Sequence, residues 1–171
     1  MSVATTDKRL ISLQEFLPLR TQLRAAGRKL VWTNGCFDLL HAGHVAYLEN
    51  AKKLGDVLLV GLNSAASFGK WKKQPGPINS DQHRAAVLLA LRSVDFVILF
   101  DEPSPVVLLR AIRPEVYVKG DDYTLATIDP QERLAIESFG GQIAFCAGVP
   151  GVSTTGMIER ILQLYSHGRC P

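Results

Sequence analysis

Short apolar runs alternate with longer segments of helical periodicity along most of this chain, and that alternation restricts the fold more than any other feature. The spacing predicts strand Lys29 to Thr33, helix His44 to Leu54, strand Asp56 to Asn63, helix Asp81 to Leu91 and strand Val94 to Leu99. Helix Pro105 to Ile112, strand Val116 to Lys119, helix Pro130 to Phe139, strand Gln142 to Phe145 and helix Thr154 to Tyr165 follow. The runs are predominantly apolar, as expected of strands covered on both faces. Strand and helix in strict turn imply an α/β fold: an open parallel sheet with helices on both faces.

Ser12 and Glu15 stand in capping-box spacing ahead of Leu13, Phe16, Leu17, Leu19 and Leu23. An amphipathic helix interrupted or kinked by Pro18 is therefore expected over Ser12 to Gly27. At 171 residues the chain reads as one globular unit. It divides into a helical extension (1–28) packed on a core domain (29–165), followed by a frayed tail (166–171).

Open parallel sheets bind ligands beyond the carboxyl ends of their strands. Four segments with polar or glycine-rich character fall at those ends: Asn34 to His44, Asn63 to Lys73, Lys119 with Gly120-Asp121-Asp122, and Gly151 to Thr155. Separate loops converging on one sheet edge make a site out of motifs that are individually unremarkable.

The first of these carries the chemistry. Thr33-Asn34-Gly35-Cys36-Phe37-Asp38-Leu39-Leu40-His41-Ala42-Gly43-His44 directly follows Leu30-Val31-Trp32. If a helix starts there, His41 and His44 share one face of its first turn. Exposed backbone N–H groups and the helix dipole attract a polyphosphate, and the imidazoles can donate to charge developing on a phosphoryl oxygen. Gly35 and Gly43 are expected to let the backbone approach the ligand. A metal half-site is the competing reading, but Cys36, Asp38 and both histidines would have to fold back on one another, and no spaced partner cluster follows.

Lys70, Lys72 and Lys73 lie in a segment rich in proline and glycine, where a lysine loop above a triphosphate would neutralise the leaving group; Lys72 is the preferred candidate. The alternative is a solvated basic loop. Lys119 ends an apolar strand and is expected to face an anion, Asp121 or Asp122. Asp121 and Asp122 would hold a ribose hydroxyl, cap the next segment or help to place Mg²⁺. Ser153, Thr154 and Thr155 precede the last helix, so one hydroxyl should cap it while free N–H groups face the first loop. Arg84 would either clamp a sugar phosphate or pair with Asp81.

A net charge of +3 from 19 basic and 16 acidic residues is too mild to argue for nucleic acid. No apolar stretch is long enough to span a bilayer, and three scattered cysteines read as free thiols in a cytoplasmic protein. A homodimer is the default for such a chain.

The segments T-N-G-C-F-D-L-L-H-A-G-H-V-A-Y-L, A-K-K-L-G-D, Pro77-Ile78-Asn79, V-K-G-D-D-Y and G-V-S-T-T resemble the His-x-Gly-His nucleotidyltransferase superfamily from about Lys29 to Leu162. Within it they are most similar to heptose 1-phosphate adenylyltransferases in a stand-alone form, without the sugar kinase often fused to them. The resemblance implies a Rossmann-like fold. It also implies transfer of AMP from ATP, with Mg²⁺ carried on the triphosphate, to a sugar 1-phosphate, giving an ADP-heptose and pyrophosphate for a lipopolysaccharide core or similar glycan. His41, His44, Lys72 and Lys119 would be catalytic. Thr33, Asn34, Gly35, Cys36, Phe37, Gly120, Asp121, Asp122, Ser153, Thr154 and Thr155 would bind nucleotide. Asp38, Asn63, Lys72 and Arg84 would bind the acceptor. Competing readings are a cytidylyltransferase for glycerol 3-phosphate, a guanylyl-transferring heptose enzyme, and a nucleotide-binding regulatory module without turnover.

Overall fold

The computed structural model describes residues 7–67 and 76–165. Five strands form one sheet: β1 (Leu30–Gly35), β2 (Val57–Asn63), β3 (Phe96–Phe100), β4 (Val116–Gly120) and β5 (Gln142–Cys146). All neighbours are parallel, in the order β3-β2-β1-β4-β5. The chain leaves β1 toward β2 and returns to its other side at β4. The carboxyl ends of β1 and β4 therefore flank the switch point at which ligands of such sheets sit.

The longer helices among the described residues are α1 (Leu13–Ala25), α2 (Ala42–Lys52), α3 (Asp81–Leu89), α4 (Val106–Ile112), α5 (Pro130–Ser138) and α6 (Thr154–Tyr165). Val31, Leu58, Val60 and Val118 turn one sheet face toward Leu48 of α2 and Leu88 of α3. Leu30, Trp32, Leu59 and Tyr117 turn the other toward Phe16 of α1, Leu109 of α4 and Ile136 of α5. Each fully buried side chain of this size contributes about 1.5–3 kcal/mol relative to exposure, so the two layers hold the sheet rigid beneath its loops.

Helix α1 opens with the capping box formed by Ser12 and Glu15 and runs without a break through Pro18. The expected interruption is absent because Pro18 is exposed, so the backbone bond it cannot make is lost on the watered side. Buried Arg20 fastens α1 to the end of α4, donating from Nε to the Ile112 carbonyl at 2.9 Å and from Nη2 to the Arg113 carbonyl at 2.6 Å. The same Nη2 reaches Glu115 at 2.6 Å. A cation at the carbonyl end of a helix is favourably placed. Among the described residues, no helix is long and apolar enough to cross a membrane.

Candidate active site

The loop from β1 to α2 is built so that two imidazoles face each other. His41 stands at the N-cap of α2 in extended conformation and His44 lies in its first turn. Their ring centroids are 4.0 Å apart with planes 36° from parallel. The backbone N–H of His41 donates to Nδ1 of His44 at 3.4 Å, which leaves the proton of neutral His44 on Nε2. Burial, and secondarily the nearness of His41, pulls the His44 pKa down to about 4. At neutral pH it is an uncharged N–H donor. Nδ1 of His41 is buried and has no hydrogen-bond partner among the described residues.

Gly35 and Gly43 both line the cleft, and each also leaves room for a neighbouring ring. A Cβ on Gly43 would stand 2.9 Å from both Cε1 and Nδ1 of His41, and a Cβ on Gly35 would stand 3.2 Å from the Phe37 ring. The two glycines make room for the chain's own rings. Phe37 holds φ at +46°, a backbone state that a bulky residue seldom adopts. Its ring meets His44 edge-on at 5.7 Å and covers that imidazole.

These residues open onto a cleft of about 630 Å³. Asn34, Gly35, Cys36, Phe37, His41 and His44 line one wall; Lys119, Gly120, Asp121 and Asp122 come from the end of β4, and Ser153 and Thr154 from the start of α6. Three of the four predicted loops thus meet in one space. Ser153 caps α6 by accepting the Gly156 N–H at 3.0 Å, so the expected capping hydroxyl is that of Ser153. Thr154 donates to the Leu39 carbonyl at 3.4 Å, tying α6 to the histidine loop. Thr155 does not line the cleft.

Several residues stand elsewhere than the sequence suggested. Thr33 is fully buried, with its hydroxyl 2.6 Å from that of Tyr47, which in turn donates to the Val118 carbonyl. Arg84 is enclosed by backbone and donates to the carbonyls of Cys36, Asn63 and Asn79 and to Asp81 at 2.6 Å. Of its two expected roles, the structure contains the pairing with Asp81, and four of the five guanidinium N–H donors are committed to Asp81 and these carbonyls. Asp38 accepts the backbone N–H groups of Ile78 and Asn79, at 2.7 and 2.9 Å. Asp38 and Arg84 together fix the loop that carries Cys36. Lys70, Lys72 and Lys73 lie outside the described residues.

Lys119 faces neither Asp121 nor Asp122 as its ion partner. Its Nζ lies 3.1 Å from Oε2 of Glu132 on α5, with both side chains about nine-tenths buried. The same carboxylate oxygen is 2.6 Å from the Tyr117 hydroxyl, which is 2.9 Å from Oδ1 of Asn34. Burial, with Glu132 beside it, raises the Tyr117 pKa well above its usual value, so the phenol stays protonated. Glu132 gives little sequence signal: in Asp129-Pro130-Gln131-Glu132 an acid in the first helical turn reads as ordinary dipole chemistry.

Comparisons with known proteins bear on the family and the fold. The family model for cytidylyltransferase-like domains matches residues 32–160. The chain is 48% identical over 145 residues, 85% of its length, to the bifunctional protein HldE of Syntrophotalea carbinolica. It is 47% identical over 142 residues, 83% of its length, to HldE of Geobacter sulfurreducens. The chain spans 29% of the length of each of these relatives. A lipopolysaccharide core biosynthesis protein from Thermoplasma volcanium superposes with a TM-score of 0.60 at 29% identity, covering 72% of this chain and 99% of that one. A pantoate-beta-alanine ligase from Francisella tularensis, solved with beta-gamma ATP and beta-alanine, shares the fold at 17% identity and a TM-score of 0.54, over 91% of this chain and 76% of its own. With the paired histidines at a helix start, the switch-point cleft and the match over most of the core, the chain belongs to the cytidylyltransferase-like family.

Proposed function

We propose that this protein transfers AMP from ATP to the 1-phosphate of a heptose, releasing pyrophosphate and forming an ADP-heptose. A phosphate oxygen of the sugar attacks the α-phosphorus of ATP, and the bond from that phosphorus to the bridging oxygen of pyrophosphate breaks. The observation that carries the reading is the meeting of His41, His44 and Lys119 in one cleft. Nε2 of His44, uncharged and held by its backbone contact, donates to the phosphoryl group as charge develops on it. Lys119, held in place by Glu132, offers its remaining ammonium N–H donors to the phosphates. Ser153, Thr154 and the N-terminal N–H groups of α6 receive the triphosphate. Asn34 to Phe37 and Gly120 to Asp122 enclose the nucleoside, and Asn63 stands toward the acceptor side.

Mg²⁺ enters in this reading as part of the substrate, on the triphosphate, and supplies further charge neutralisation there. The carboxylates of Asp121 and Asp122 at the cleft are the groups suited to meet its hydration shell. Lys72 is proposed to close on the departing pyrophosphate. A cytoplasmic location and a homodimer belong to the same reading, and light scattering tests the second.

The similarity to bifunctional HldE proteins supports the heptose assignment, whereas the family description favours a cytidylyl donor. Pyrophosphate release, measured with ATP, CTP and GTP each crossed with heptose 1-phosphate and glycerol 3-phosphate, separates them. Turnover with ATP and heptose 1-phosphate is expected; turnover with CTP alone would overturn the adenylyl reading.

A further inference from the structure

A second compartment of about 600 Å³ adjoins the first and shares Asn34, Gly35, Cys36, Lys119 and Tyr123 with it. Its remaining walls come from the other side of the switch point: Asn63 at the end of β2, Ser104 and its flanking prolines after β3, and Thr127, Asp129 and Glu132 around the start of α5. Among the described lining residues Lys119 is the one cation, and it stands on the seam between the two spaces. Beyond the seam the charges are carboxylates. Such a wall repels phosphate and accepts hydroxyl groups.

The polar atoms there are under-used. Glu132 commits Oε2 to Lys119 and Tyr117, and no partner is present for Oε1 among the described residues. Asp129, exposed at the N-cap of α5, accepts the N–H groups of Gln131 and Glu132 through Oδ1, so Oδ2 is open to a ligand hydroxyl. The Ser104 hydroxyl is buried and without a hydrogen-bond partner among the described residues, an arrangement that costs stability unless something else fills it.

Resting on the nucleotidyl-transfer reading, we propose that this second compartment binds the uncharged polyhydroxyl body of the acceptor, with Ser104, Asp129 and Glu132 selecting it through its hydroxyls. The acceptor's phosphate then lies at the seam beside Lys119, with the nucleotide beyond it in the first compartment. Selectivity of this kind is strong, because an acceptor lacking a matched hydroxyl leaves a buried polar group unpaired.

Two variants test this without disturbing the fold. Ser104→Ala removes a hydroxyl that has no internal partner, and Asp129→Asn keeps a side chain that caps a helix well. In pyrophosphate-release assays, each variant is expected to raise the KM for heptose 1-phosphate about tenfold, the value of one hydrogen bond, with the KM for ATP unchanged. A deoxyheptose 1-phosphate lacking the matched hydroxyl should be used equally well by wild type and variant. Unchanged acceptor KM in both variants, or equal changes for ATP and acceptor, would overturn the assignment while leaving the function intact. Absence of turnover by the wild type with any sugar phosphate would instead remove the function and this assignment with it.

Discussion

His41 and His44 stack at 4.0 Å between ring centroids, with the His41 backbone N–H reaching back to Nδ1 of His44. Partial burial, and secondarily the nearness of the His41 ring, disfavour a proton on His44. His44 is therefore held as an uncharged N–H donor at the wall of the cleft.

The lowered pKa of His44 has a consequence for stability. Its folded value of about 4 lies below the ordinary 6.5, so between these values the unfolded chain binds more protons than the native one. The contribution of His44 is fully present above pH 6.5 and is lost as pH falls through about 4. His44→Asn should flatten the fall of the urea midpoint across that window. An unchanged slope would mean that His44 titrates normally.

Gly43 is held small by His41, whose ring atoms would lie 2.9 Å from any Cβ placed there. Gly43→Ala should lower turnover about tenfold or more by displacing that ring. Stability should hold or rise, since alanine favours a helix by up to about 1 kcal/mol over glycine. Turnover and urea midpoint measured on the same variant separate the two effects.

Arg84 joins the histidine loop, the end of β2 and the start of α3 from inside the protein. Arg84→Met should cost about 3 kcal/mol, because it leaves several buried carbonyls and the Asp81 carboxylate without a donor. Chemical denaturation reads this directly. A loss of activity at full stability would instead return Arg84 to the substrate.

Tyr117 bridges Asn34 on β1 to Glu132 on α5 under the cleft floor. Tyr117→Phe should lower stability by about 1–2 kcal/mol, the range for a lost buried hydrogen bond. Differential scanning calorimetry measures this, and an unchanged Tm would mean the bridge is not maintained in solution.

Much of the architecture is legible in the chain because parallel strands covered on both faces are predominantly apolar. Val57–Asn63, buried along its whole length, is the plainest case. The histidine loop, the end of β4 and the start of α6 are legible as a group through their shared place at strand ends. What sequence could not supply is pairing across long separations. Lys119 finds Glu132 on a different element, and Arg84, which looks like a surface cation on an amphipathic helix, is enclosed by carbonyls that only the fold assembles. Phe37 escaped for a local reason: nothing in its neighbours announces a left-handed backbone at a bulky residue.

Single-turnover release of pyrophosphate from ATP and heptose 1-phosphate, compared between wild type and His44→Ala with matched circular dichroism, bears most directly on the cleft as a nucleotidyl-transfer centre. A folded variant slower by roughly a thousandfold or more is expected if the imidazole stabilises the transferring phosphoryl group. Equal rates in the two proteins would contradict it.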